Sequence, residues 1–138
     1  MAMMPSETSS QVANATNGFE MIRSLATEKG SKNSNAVQVS PVSVRLKHKY
    51  DMAWEMTSNT GYLRACAVIQ KYTDQSMSTN GYYNPTHYED GKIPMKVLIG
   101  DLLMAYKLGI KTLYYSNTYD NRGDDEDSGG CSGGACAI

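Results

Sequence analysis

The chain has 138 residues, a formal net charge of −1 and 41% hydrophobic residues, enough for one domain with a core but at the apolar low end for globular proteins. A charge so near zero exerts no long-range pull toward nucleic acid or an anionic membrane, so neither is expected as a direct partner. The longest apolar windows fall far short of the ~20 residues that cross a bilayer, and no basic leader with a long apolar stretch opens the chain, so a soluble, cytoplasmic protein is expected (host cytoplasm if viral).

Ala2 to Met4 form a short apolar run cut off by Pro5. Ser6, Glu7, Thr8, Ser9 and Ser10 then lead into a short helix expected around Gln11 to Asn14, with Thr8 and Ser9 as good N-cap residues. Such a strand–loop–helix start gathers hydroxyls and backbone N–H groups at a helix N-terminus, where anions and above all phosphates bind. The same pattern also describes a plain capped helix, and the usual glycine-rich nucleotide loop is absent.

Residues 19–46 are weakly patterned. Val37, Val39, Val42 and Val44 suggest one or two short strands around Pro41, after a polar turn from Lys29 to Asn35. A helix is expected over Lys47 to Met56, with Tyr50, Ala53 and Trp54 inward, broken by Asn59-Thr60-Gly61. A second runs from about Tyr62 to Met77, with Tyr62, Cys66, Ile69 and Thr73 on one face. Cys66 there reads as a small buried hydrophobe. Asn80-Gly81, Asn84-Pro85 and Asp90-Gly91 are turn signals.

The segment PMKVLIGDLLMAYKLGIKTLYYSN follows. Pro94 is a good helix opener, and Met95, Leu98, Ile99, Leu102 and Tyr106 recur at helical spacing on one face. Lys107 suits the negative end of the helix, and Gly109 can supply a left-handed C-terminal cap. The period then becomes two, with Ile110, Thr112 and Tyr114 pointing one way and Lys111, Leu113 and Tyr115 the other. A capped helix turning into a β-branched and aromatic strand marks an α/β fold. With ten tyrosines against one phenylalanine and one tryptophan, no tyrosine is singled out by type alone, and this pair by itself reads as two core aromatics.

After Asn117 the chain is rich in Gly, Asp and Ser without apolar periodicity, and a disordered tail is expected from about Tyr119. The acidic run Asp124 to Asp127 lacks calcium-loop spacing and reads as a solvated stretch. The last eight residues, CSGGACAI, hold Cys131 and Cys136. Zinc needs four ligands, and Cys66, His48 and His87 offer no paired spacing to complete a set. Thiol–disulfide exchange fits better: one thiolate attacks a disulfide elsewhere and the other resolves the mixed disulfide. The ~12 residues from Tyr119 to Cys131 would reach roughly 20 Å root-mean-square and about 40 Å at full extension.

MPSETSSQVANATNG ending at Gly18, WEM at 54–56, DQS at 74–76, the run from Lys92 to Thr118 and the terminal CSGGAC together resemble the C-terminal region of the large (alpha) subunit of class I ribonucleotide reductase, in its bacterial and phage branch. The resemblance spans nearly the whole chain and is weakest from Phe19 to Lys49. It implies a piece of the family's ten-stranded α/β barrel over 1–118, followed by a flexible redox tail over 119–138. It implies that Pro5, Ser6, Glu7, Thr8 and Ser9 bind the diphosphate of a ribonucleoside diphosphate. Tyr114 and Tyr115 match the stacked pair that relays a radical, Tyr115 nearer the small subunit and Tyr114 nearer the substrate. Cys131 and Cys136 match the dithiol that re-reduces the active site and is itself reduced by thioredoxin or glutaredoxin. The helix from Pro94 to Leu108 matches one that helps form the docking groove for the small subunit's C-terminal peptide.

The implied activity is reduction of ribonucleotides to deoxyribonucleotides for DNA synthesis, with the di-iron centre and tyrosyl radical held by the small subunit and no metal or cofactor in this chain. The family's thiyl-radical cysteine, its catalytic glutamate and asparagine, its two reducing cysteines and its allosteric region have no counterpart here. Cys66 lacks the Asn-x-Cys-x-Glu context of the radical cysteine. An upstream large-subunit piece is therefore an expected partner. The methionine just before PSETSS suggests a naturally split subunit, although a cloned fragment would look the same. The alternatives are a stand-alone thiol–disulfide carrier and a non-catalytic binding or metal module.

Overall fold

A computed structural model describes residues 1–3, 6–16, 18–31 and 34–119. The elements in chain order are α1 (Glu7–Val12), β1 (Ala26–Ser31), β2 (Ser34–Val39), α2 (Ser43–Leu46), a 3₁₀ turn at Lys47–Lys49, α3 (Thr60–Gln70), β3 (Thr79–Tyr83), a 3₁₀ turn at Pro85–His87, α4 (Met95–Lys107) and β4 (Leu113–Thr118). β1 and β2 form an antiparallel hairpin. β3 and β4 pair in parallel with α4 as their crossover, which makes the second half an α/β unit as expected. Among the described residues no helix is long and apolar enough to cross a membrane.

The core sits on α3. Leu63, Cys66 and Ala67 are buried, with Cys66 wholly inaccessible, and Tyr62, Cys66 and Met77 pack with Met21, Met56, Ile69 and Ile110 around them. Burial pushes the Cys66 thiol above its usual range, which keeps it protonated and unreactive. The expected small buried hydrophobe is what the fold contains.

Polar side chains tie the layers. Asn59, almost fully buried, accepts the Tyr82 backbone N–H at 3.0 Å and donates to the Asp101 carboxylate at 2.9 Å, which joins the start of α3 to β3 and α4. The Asn84 amide donates to the Trp54 carbonyl at 2.8 Å, and the Trp54 ring lies between those of Tyr82 (5.7 Å) and Tyr119 (5.5 Å).

Several sequence-based expectations fail, each for a local reason. The helix expected over Lys47 to Met56 does not form. The chain makes α2 and the 3₁₀ turn, becomes extended at Tyr50, and gives Met52 to a parallel bridge with Ile22. The Ala53 N–H bonds the Ile22 carbonyl at 2.9 Å, so a distant segment takes the donor that a helix would use. The helix expected over Tyr62 to Met77 starts at Thr60 and stops at Gln70. Asn59-Thr60-Gly61 opens it rather than breaking a helix, since the Asn59 carbonyl accepts the Leu63 N–H. Its early end follows from the buried Gln70 amide, which donates to Thr73 and to the Gln75 carbonyl and accepts the Met77 N–H, wrapping the next residues into a loop.

At the start of the chain, residues 1–3 are not a strand and α1 begins at Glu7, four residues before the expected helix around Gln11 to Asn14. Lys29 to Ser31 and Ser34 and Asn35 are strand rather than turn. Val37 and Val39 lie in β2 as expected, but Val42 and Val44 do not form a strand: Val42 takes a left-handed φ of 53° and α2 follows it directly. Asn80-Gly81, expected as a turn, lies within β3. Asn84-Pro85 and Asp90-Gly91 do mark irregular backbone, with Gly91 at φ 59°.

α4 runs over Met95–Lys107 with Pro94 at its N-cap and Gly109 left-handed just past its end, φ 75°. The proline and the glycine bracket the helix as their backbone preferences require. Its apolar face is another matter: Met95 (66% exposed), Ile99, Leu102, Leu103 and Tyr106 (81% exposed) face outward, and only Ala105 is buried.

Candidate functional site

Tyr114 and Tyr115 lie on β4 next to the end of the crossover. Both are more than half exposed, and their ring centroids are 4.2 Å apart with an interplanar angle of 65°, an edge-on contact rather than parallel stacking. Regular alternation would send neighbouring side chains to opposite faces, and the expectation that Tyr114 and Tyr115 point apart fails here.

The register explains the contact. Thr79 pairs with Leu113 and Gly81 with Ser116, so two residues of β4, Tyr114 and Tyr115, stand opposite one of β3, Asn80. This is a β-bulge, whose extra residue breaks the ladder and re-aims side chains. The two tyrosines can therefore approach each other as an unbroken strand would not allow. A bulge also displaces backbone groups from their ladder partners, and the Tyr115 N–H bonds the Asn80 side-chain oxygen at 3.1 Å. Gly81 follows Asn80, and a Cβ there would stand 2.8 Å from the Tyr83 ring. Any side chain would push that ring aside.

The segment after α1 clasps this strand pair. The Glu20 carboxylate accepts from the Asn80 amide at 2.9 and 3.2 Å, the Tyr82 hydroxyl at 2.7 Å and the Tyr62 hydroxyl at 3.1 Å. Arg23 donates to the Asn117 side chain at 3.2 Å, and Asn117 donates to the Gly81 carbonyl. Burial, reinforced by the neighbouring Glu20 carboxylate, raises the Tyr62 and Tyr82 phenols above their ordinary range. Burial first and Asp101 second do the same for Tyr83.

Of the other expected site residues, Ser6 and Ser9 are exposed at the start of α1. The Ser6 carbonyl accepts the Ser10 N–H at 2.7 Å, so the helix boundary falls at Ser6 rather than at Thr8 or Ser9. Glu7 and Thr8 occupy its first turn, where backbone N–H groups have no acceptor within the helix. Pro5, Cys131 and Cys136, with the whole stretch from 120 to 138, lie outside the described residues. Among the described residues no cluster of histidine, cysteine and carboxylates is arranged to hold a metal ion.

Glu20, Arg23 and Asn80 shape the site, yet none stood out in the sequence. Glu20 and Arg23 fall in the weakly patterned segment, and Asn80 reads as a turn residue. The bulge left no local signal either, because it is defined by the register of β4 against β3.

The family described as the ribonucleotide reductase barrel domain matches residues 1–116. The alpha subunit of ribonucleoside-diphosphate reductase from Haemophilus influenzae Rd is 50% identical over 139 residues, covering 99% of this chain and 18% of that protein. The alpha subunit of ribonucleoside-diphosphate reductase 1 from Escherichia coli K12 is 47% identical, covering 99% of this chain and 19% of its own length. The corresponding subunit of Enterobacteria phage T4 is 41% identical over 127 residues, 91% of this chain and 17% of its own. The chain thus spans less than a fifth of these curated relatives.

Proposed function

The chain belongs to the ribonucleotide reductase barrel-domain family, and from that premise we propose that it is the radical-transfer and reductant-shuttle part of a class I ribonucleoside-diphosphate reductase. It acts only when joined to the rest of the barrel, whether that is a second polypeptide or a continuation of this one. The observation that carries the reading is the exposed Tyr114–Tyr115 ring contact at 4.2 Å on a bulged strand.

Two phenols in contact can pass an oxidising equivalent. Tyr115, once oxidised by the radical of the small subunit with loss of its hydroxyl proton, regains an electron and a proton as Tyr114 gives up its own, so Tyr115 returns to a neutral phenol and Tyr114 becomes the neutral radical. A neutral phenol, ordinarily with a pKa near 10, thereby moves the radical without leaving a charge in a poorly solvated place. The initial one-electron oxidant would come from the small subunit, which would hold the di-iron centre and its tyrosyl radical. Met95, Ile99, Leu102 and Tyr106 on α4 offer the small subunit's C-terminal peptide an apolar surface. Pro5 to Ser9 hold the substrate's diphosphate, with the first-turn amides of α1 as donors. Cys131 and Cys136 re-reduce the active-site disulfide. One thiolate displaces a sulfur of that disulfide, the second releases the mixed disulfide, and thioredoxin or glutaredoxin restores the tail pair. Deoxyribonucleotide supply for DNA synthesis then places the reaction in the cytoplasm, or the host cytoplasm for a viral protein.

The test is turnover in an assembly reconstituted from this chain, the remaining large-subunit portion and the small subunit. Tyr114→Phe and Tyr115→Phe should each abolish deoxyribonucleotide formation. Cys131→Ser should abolish turnover driven by thioredoxin while leaving a single turnover of pre-reduced enzyme. Full multiple turnover with either tyrosine variant would overturn the relay, and redox cycling of the isolated chain would then favour a stand-alone thiol carrier.

A further inference from the structure

We infer that Glu20 is a positioning residue for the tyrosine pair, acting on Tyr115 through the side chain of Asn80. The inference rests on the relay reading for its functional meaning and on geometry for its substance.

The bulge leaves the Tyr115 backbone N–H opposite a side chain instead of a ladder carbonyl, and the Asn80 oxygen receives it at 3.1 Å. An asparagine amide can turn over, exchanging its oxygen for its NH₂. Turned the wrong way, it would set a donor against a donor at Tyr115. What fixes the orientation is Glu20. Both of its oxygens accept from the Asn80 nitrogen, within 3.2 Å. The NH₂ group must face Glu20, so the oxygen must face Tyr115.

Glu20 is itself held from two directions, by the Tyr62 hydroxyl on α3 and the Tyr82 hydroxyl on β3. The sequence of contacts therefore runs from the buried core helix, through the carboxylate and the amide, to the backbone of the bulge. Its product is the height and rotation of Tyr115 against Tyr114. Glu20 reaches the bulge through the Asn80 amide, so its effect is on placement. Misplacement of reacting groups by about 1 Å can cost on the order of 10²-fold in rate.

The experiment uses the complete assembled reductase with Glu20→Gln, Asn80→Ala and the double variant. Glutamine keeps the shape and one acceptor but presents a competing NH₂ to Asn80. Each single change should lower kcat by about tenfold, a fraction of the loss that full misplacement brings, while leaving KM for the ribonucleoside diphosphate unchanged. The double variant should be no slower than Asn80→Ala, because Glu20 works through Asn80 and coupled residues are not additive. Hydrogen exchange at the Tyr115 amide should accelerate in both single variants, with α4 protection unaltered.

Full kcat and unchanged Tyr115 exchange in Glu20→Gln, or losses that multiply in the double variant, would overturn the proposal. If Glu20→Gln does not assemble, Asn80→Ala decides alone, since it leaves the Glu20 bonds to Tyr62 and Tyr82 in place: unchanged kcat and exchange refute the chain of contacts. Tyr115→Phe is run alongside. Its retention of full turnover overturns the relay but not the placement, and faster Tyr115 exchange in Glu20→Gln still supports the contacts from Glu20 to the bulge.

Discussion

α3 and α4 are two helices of similar length with similar apolar spacing and opposite fates. α3 buries Tyr62, Leu63, Cys66, Ala67 and Gln70, and the rest of the chain packs around it. α4 buries only Ala105 and turns Met95, Ile99, Leu102 and Tyr106 to solvent. The lesson concerns the meaning of periodicity. An apolar stripe states that a helix face will be covered, not by what. In α3 the cover is this chain's own, with Met21, Met56, Met77 and Ile110 packed on Tyr62 and Cys66. The α4 stripe stays exposed in this chain, and so do Tyr114 and Tyr115. One helix carries the core of this chain, and the other leaves its apolar face to solvent.

That division can be broken by substitution. The largest effect is expected on the α4–β4 side: Tyr115→Phe should lower turnover of the assembled enzyme by at least about 10²-fold, with a thermal melt shifted by no more than about 0.5 kcal/mol because the ring is exposed. Next comes the α3 side. Leu63→Ala should cost about 2–5 kcal/mol in urea unfolding, as for a fully buried leucine, and assembled molecules should still turn over. A turnover defect from Leu63→Ala, or a stability defect from Tyr115→Phe, would erase the distinction.

The comparison sharpens with two smaller effects. Ile99→Ala combined with Leu102→Ala should change stability by about 0.5 kcal/mol or less yet weaken binding of the small subunit's C-terminal peptide by about 1–2 kcal/mol, read by titration calorimetry. The last effect belongs to the core alone. Tyr62, Tyr82 and Tyr83 have folded-state pKa values raised by burial. Each phenol therefore favours the folded state fully below the unfolded value near 10 and loses that stability as pH rises beyond it. Stability should fall above pH 10 by about 1.4 kcal/mol per pH unit for each such phenol. Tyr62→Phe should make that alkaline slope shallower.

How much of this was legible follows the same line. Pro94, Gly109 and the stripe between them wrote α4 almost to the residue, because capping is local. Cys66 was readable as core for the same reason. The helix expected over Lys47 to Met56 was not, since the Ala53 N–H goes to the carbonyl of Ile22, some thirty residues upstream. Nor could any window pair Glu20 with Asn80 or reveal that Asn80-Gly81, a turn by composition, is strand by virtue of its neighbours. At the site, the identity of Tyr114 and Tyr115 came from the resemblance of the whole run. Their contact depends on a bulge defined only by the opposing strand.

The clasp also sets an order of events in time. Glu20 and Asn80 are 60 residues apart and Arg23 and Asn117 are 94 apart, so these contacts carry a large loop-closure entropy and form late. On the ribosome, α3 and β3 emerge well before β4, and until Leu113 to Thr118 appear the β3 edge has no parallel partner from this pair. An open edge of that kind recruits other chains. The clasp consequently guards an edge that is exposed during synthesis: before Leu113 to Thr118 emerge, β3 is open to pairing with other chains.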